Sequence, residues 1–172
     1  MRRIVSSIEA EYLRYKTLAE GAIQRLGDED LYRKAPGDGN SVATLVWHIS
    51  GNLASRFTDF LTSDGEKPWR DRESEFVHRT VSRADVLKKW DAGWEVLLGA
   101  LKPLTDENLD AAVSIRGIAL AVHEALHRSL AHTSYHVGQI VFMARSLLGK
   151  DWQFMSIPPG TGARRAGAAF SR

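Results

Sequence analysis

The stretch from Ile118 to Leu148, IALAVHEALHRSLAHTSYHVGQIVFMARSLL, constrains this chain more than any other. It contains no proline and a single glycine, Gly138, and its apolar residues recur at three- and four-residue steps. That periodicity predicts one long amphipathic helix with a buried arc of Val122, Ala125, Leu126, Leu130, Val137, Ile140, Met143, Ala144, Leu147 and Leu148. A helix of this length needs partner helices to cover its apolar face.

The partners are legible upstream. Residues 4–26 place Ile4, Ile8, Tyr12, Tyr15, Ala19, Ala22, Ile23 and Leu26 on one face. Gly27-Asp28 stops that helix, and Pro36-Gly37-Asp38-Gly39 forms a loop. Ser41 offers an N-cap for a second helix over about 41–62, with Val42, Leu45, Val46, Ile49, Leu53, Phe57, Phe60 and Leu61 buried. A third runs from an N-cap at Ser82 to Leu101, burying Val86, Leu87, Trp90, Trp94, Leu97, Leu98 and Leu101, and Pro103 ends it. The segment TDENLD reads as a helical turn, and 111–117 as a brief extended piece. Four amphipathic helices with long connectors predict an all-α protein, a four-helix bundle with crossover connections. Residues 1–160 are expected to form this bundle and 161–172, rich in Gly, Ala and Arg, a mobile tail.

Charge and composition remove several function classes. The formal net charge is only +2, and basic residues are interspersed with acidic ones, which argues against a nucleic-acid partner. There is no cysteine, so disulfides, thiolate zinc sites, iron–sulfur clusters and a cysteine nucleophile are excluded, and a reducing cytoplasm is the expected location. The opening MRRIVSSIEAEYLRY turns charged too soon for a signal peptide, and no apolar run is long enough to span a membrane.

The chemistry is concentrated in the histidines. Four of the six lie in the long helix, as the pairs His123/His127 and His132/His136. Each pair has i, i+4 spacing, so its members share a helical face. The nine residues from His123 to His132 turn roughly two and a half times at about 100° per residue, so the pairs face opposite ways and cannot share an ion. His136 falls inside the apolar arc and His132 at its edge. His127 and Glu124 fall on the polar side with Arg128 and Arg145. The first pair spells H-E-x-x-H, the zinc-protease signature. With Glu124 directed to solvent and no strand architecture or glycine turn following, that match is expected to be incidental.

Two imidazoles are only part of a coordination sphere. The best third candidate is His48, at the margin of the second helix's apolar stripe. Asn52, Ser55 and Asp59 follow it along one seam, with Arg56 alongside, as in a pocket wall. A hydrogen-bonded core-margin histidine is the competing explanation for His48. His78 is expected at the surface. In the charged connector 63–76, Arg70 and Arg72 could hold an anionic group. An ion-pair network with Asp64, Glu66, Asp71, Glu73 and Glu75 that pins the connector to the bundle is the favoured alternative.

NSVATLVWHISGN in the second helix and LAHTSYHVGQIVFMAR in the last resemble the DinB/YfiT-like superfamily of metal-binding four-helix bundles. The likeness spans about residues 5–160. It is closest to a branch of unknown function that also carries a segment like SRFTDFLTSDGEKPWRDRESEF and an SIP-G segment, here Ser156–Gly160. The resemblance implies a metal triad of His48, His132 and His136 with zinc or nickel, a pocket nearby, and a homodimer. Characterised relatives include thiol-dependent S-transferases and a mycothiol-dependent isomerase. By that analogy the chain is expected to be a divalent-metal enzyme acting on a small molecule. A low-molecular-weight thiol is the expected co-substrate of a transferase, and a hydrolase is the other catalytic option. Asn52, Arg56, Tyr135 and Gln139 are the candidate pocket residues. The alternative is a non-catalytic, metal-stabilised, stress-related binding protein.

Overall fold

The computed structural model describes residues 1–37 and 39–155; the SIP-G segment and the expected tail lie outside the described residues. Among the described residues there are five α-helices: α1 (Arg3–Arg25), the short α2 (Asp28–Tyr32), α3 (Val42–Phe57), α4 (Arg83–Leu101) and α5 (Val122–Leu148). The four long helices form a ring in the order α1, α4, α3, α5. The diagonal pairs α1/α3 and α4/α5 barely touch, so the connections from α1 to α3 and from α4 to α5 each cross an end of the bundle. This is an all-α four-helix bundle with crossover connections.

Local chemistry explains where the helices start and stop. Ser41 Oγ accepts from the Thr44 N–H at 3.1 Å, capping α3. Ser82 and Asp85 form a reciprocal capping box at the start of α4. The first turn of α1 has no cap of its own. Asp106 Oδ1, far along the chain, accepts from the N–H groups of Ile4 and Val5 at 3.0 and 3.1 Å. In return, Arg2 donates to the carbonyls of Leu101 and Leu104 at 2.9 and 2.7 Å, where α4 ends. The two termini satisfy each other's orphan backbone groups.

The core is filled by Tyr12, Ile23, Leu45, Ile49, Leu53, Trp90, Trp94, Leu97 and Leu126, all 2% exposed or less. Tyr12 Oη donates to the Leu126 carbonyl at 3.0 Å, tying α1 to α5. At the closest approach of α3 and α4, a Cβ on Gly93 would stand 2.6 Å from Ser50 Cα. Only glycine permits that spacing.

Three expectations need correction. Ile4 and Leu61, expected inside, are exposed, and Val5 takes the buried position at the start of α1. The second long helix ends at Phe57 rather than near residue 62, because Asp59 adopts a left-handed φ of 49° that no α-helix continues through. The last helix starts at Val122, not Ile118. Ile118–Ala121 forms β2, paired antiparallel with β1 (Ala112–Ile115) with Ile115 opposite Ile118. Arg116 and Gly117 make the two-residue turn with φ of 56° and 73°, the positive values that a tight hairpin demands.

The hairpin buttresses the connector between α3 and α4. Asp64 accepts from the Ser114 hydroxyl at 2.6 Å and from the N–H groups of Arg116 and Gly117 at 2.9 and 2.8 Å. Gly65 N–H donates to the Ser114 carbonyl at 2.8 Å. These bonds hold Asp64's carboxyl well below the ordinary carboxylate range, the Ser114 hydroxyl contributing most. The connector forms the rim of a cavity that opens beside α3 and α5.

Candidate metal centre

His48 comes from the middle of α3, and His132 and His136 from adjacent turns of α5. One ring nitrogen from each lies within 4.8 Å of the others. His48 and His136 are buried, His132 half-buried. The second pair is elsewhere. His123 Nδ1 bonds the Leu109 carbonyl at 2.9 Å, and His127 is exposed. Glu124 Oε2 accepts from the Ala121 N–H at 2.8 Å, so the glutamate of the H-E-x-x-H sequence closes the first turn of α5. His78 is exposed, against Tyr32.

Each inward histidine is set by its neighbours. His48 Nδ1 lies 2.9 Å from Glu75 Oε2, and the carboxylate fixes the donor role on Nδ1. Its Nε2 lone pair is thereby turned to the other two rings. His136 Nδ1 donates to Gln139 Oε1 at 2.8 Å, which again reserves Nε2. That Nε2 atom is buried with no hydrogen-bond partner, as is Nδ1 of His132. His48 Nε2 and His132 Nε2 stand 3.2 Å apart. Buried imidazole nitrogens without partners are expensive in a core and are what a cation would satisfy. A ligand histidine whose other nitrogen donates to a carboxylate or amide is the usual second layer of a metal site. The donor set fits a divalent ion.

The electrostatics keep the lone pairs free. Burial first, then the neighbouring His136 and His48 and the cationic Arg70 and Arg56, push His132 down to about 3. Burial also lowers His136, reinforced by His48 and opposed by the Gln139 hydrogen bond. Burial acts to raise Glu75, but hydrogen bonds from His48 and Arg70 and the positive Arg70 outweigh it, so its carboxyl is lowered and stays ionised.

Glu75 is the feature that residue spacing did not expose. It sits on a 3₁₀ turn, Glu73–Phe76, and is 5% exposed. Arg70 grips it with two bonds, Nε to Oε1 at 2.8 Å and Nη2 to Oε2 at 3.0 Å. Arg79 donates to the carbonyls of Glu75 and Ser74 and fixes the turn itself. A Cβ on Gly51 would fall 2.1 Å from Glu75 Oε1, so the carboxylate occupies the space that glycine leaves on α3. A glycine inside an otherwise sound helical pattern was the one available signal. Phe76 packs over His48 with ring centroids 4.8 Å apart. Of the acids expected to pin the connector by ion pairs, Glu66 does so through Arg56 and Arg116, and Glu75 through His48. Arg70–Glu75 and Arg72–Glu73 pair within the connector, and Asp64 and Asp71 accept hydrogen bonds instead.

A cavity of about 220 Å³ opens beside the histidines. His48, His132, Asn52, Arg56 and Tyr135 line it, together with Phe57, Phe60 and Ile115. Gln139 does not; it holds His136 instead. Ser55 and Asp59 of the expected polar seam also stand apart: Ser55 Oγ donates to the Gly65 carbonyl at 2.7 Å, and Asp59 forms the turn after α3. Arg116 and Arg128 line the cavity without having been singled out as pocket residues. Tyr135 is exposed and stacks on His136 at 4.1 Å between centroids.

Comparison with known proteins agrees with this architecture. No curated protein matches the sequence significantly. Among solved structures, a DinB-like protein from Bacillus cereus ATCC 10987 superposes with a TM-score of 0.63 at 18% identity, over 83% of this chain and 91% of that one. A family model described as a protein of unknown function, DUF1572, matches residues 1–161. With that match and a DinB-like bundle, the chain belongs to the DUF1572 family.

Proposed function

We propose that this protein is a divalent-metal enzyme whose ion is held by His48, His132 and His136. The observation that carries the reading is the convergence of one ring nitrogen from each of three histidines within 4.8 Å, beside an open cavity that His48 and His132 line. A purely structural ion would need no such opening, which favours catalysis over the binding-protein alternative. When bound, zinc or nickel would act as a Lewis acid that favours the deprotonated form of a thiol or water. The reaction we favour is thiol-dependent group transfer with a low-molecular-weight thiol, and the second option is hydrolysis.

The protein's own groups have definable tasks in this scheme. Glu75 orients His48 and strengthens it as a donor, and Arg70 keeps that carboxylate ionised and fixed. Gln139 does the same for His136 without adding charge. Phe57, Phe60 and Ile115 exclude water from one wall, which strengthens electrostatic contacts inside. Tyr135 stands over His136 with its hydroxyl free to meet a bound molecule. A homodimer in the cytoplasm acting on a small molecule completes the proposal, supported by the DinB resemblance and by the absence of cysteine.

The test is a screen of zinc- and nickel-loaded protein against several low-molecular-weight thiols paired with small electrophiles, with ester and amide substrates as the hydrolytic arm. Turnover that disappears in His132→Ala supports the proposal. No turnover in any arm with metal fully bound would favour the binding-protein alternative.

A further inference from the structure

Five arginines line the cavity, Arg56, Arg70, Arg72, Arg116 and Arg128, and among the described residues no aspartate or glutamate lines it with them. They arrive from α3, the connector, the hairpin turn and α5, so the clustering is a product of the fold and not of one basic run. Three carboxylates answer them from outside the lining. Glu66 is shared by Arg56 and Arg116, Glu75 is taken by Arg70, and Glu73 by Arg72. The Arg72–Glu73 pair is exposed on both sides, where water screens it. Arg128 has no ion-pair or hydrogen-bond partner among the described residues, and it caps no helix. Arg116 uses only its Nε on Glu66, which leaves its terminal nitrogens free to donate.

Cations gathered around one concavity raise the local concentration of anions and repel one another until one arrives. Part of the wall between them is apolar, with Phe57, Phe60, Ile115 and Ala125 available to a carbon skeleton. At about 220 Å³ the space falls short of the roughly 300–1,000 Å³ of drug-sized pockets. The occupant is small.

We propose that the cavity binds a small molecule through an oxyanionic group, a carboxylate or a phosphate, held by Arg128 and the free guanidinium nitrogens of Arg116. The remainder of the molecule then lies toward His48 and His132. This deepens the metal-enzyme reading and rests on it for what happens at the histidines; the anion contact itself requires no ion.

The test titrates the full-length protein, metal-loaded and chelator-stripped, with succinate and separately with inorganic phosphate, following chemical shifts in isotopically labelled protein. We expect saturable binding of at least one probe in both forms, and the probe that binds identifies the group. Arg128→Gln should weaken it at least about tenfold, the loss of one charge-assisted contact, while Arg14→Gln on α1 changes nothing. Arg128 is exposed and unpartnered, so its variant is expected to fold. Failure of both probes to saturate would overturn the proposal. So would equal affinity in Arg128→Gln, or binding that depends on metal alone. Metal content measured on the same samples reads the other proposal separately: Arg128-dependent binding in a protein that never takes up metal would keep the anion site and remove the metal.

Discussion

Removing Glu75 is the sharpest perturbation of the site that leaves all three histidines in place. In Glu75→Ala the Arg70 side chain, 3% exposed, loses both of its carboxylate bonds, and His48 Nδ1–H loses its acceptor. Breaking a buried ion pair by deleting one partner costs about 3–5 kcal/mol, because the other charge stays buried and unpaired. Domains are stable by about 5–15 kcal/mol, so a fold near the middle of that range survives this loss. For a chain of this length each kcal/mol moves Tm by about 2–4 °C, so a drop of about 6–20 °C is expected in calorimetry. Metal affinity should fall by about 10–100-fold, the usual effect of losing a ligand's orienting partner. The double variant Arg70→Leu/Glu75→Leu separates the two effects. It should regain most of the stability, since no charge is stranded, and keep the affinity loss. A Glu75→Ala protein within about 1 kcal/mol of wild type by urea unfolding, with unchanged nickel affinity, would refute the reasoning.

Three further outcomes follow from the same geometry. Gly51→Ala drives a methyl into the Glu75 carboxylate, 2.1 Å away at Oε1, and should cost about 1–3 kcal/mol in urea unfolding along with weaker metal binding. In metal-free protein, the unfolded chain protonates His132 near 6.5 while the folded chain resists down to about 3. The unfolded state therefore binds more protons in that window, and stability should decline as pH falls from 6.5 toward 3. The slope is up to about 1.4 kcal/mol per pH unit from this residue, and His132→Asn should flatten it. Glu124→Gln should leave metal content untouched and cost well under about 1 kcal/mol, since glutamine can still close the first turn of α5; loss of metal would revive the protease-like reading.

The parts of the site that follow from helical periodicity were legible from residues alone. His132 and His136 face inward because a 3.6-residue repeat fixes direction locally, and the same repeat turns His127 outward. The margin of the second helix's apolar stripe offers His48 as a third candidate with a core-margin histidine as its rival, and the resemblance joins it to the pair. Glu75 was not legible as a partner, because its position depends on how a 3₁₀ turn in a charged connector folds back onto α3 twenty-seven residues away. In sequence, DGEKPWRDRESEF reads as an ion-pair network against the bundle with no acid singled out; in the fold Asp64 clamps the hairpin and Glu75 is a buried anchor. The hairpin strand Ile118–Ala121 reads as helix in sequence because four apolar residues carry no distinguishing period. The Arg-Gly turn before it, with positive φ at both positions, decided otherwise.

Three histidines from two helices, and not the adjacent H-E-x-x-H, are proposed to hold the metal. Elemental analysis of purified protein and of five single variants tests it most directly. Close to one divalent ion per chain is expected in wild type, His123→Ala and His127→Ala, and loss of the ion in His48→Ala and His132→Ala, with His136→Ala behaving alike. Metal retained in the latter three and lost in the former two would contradict it.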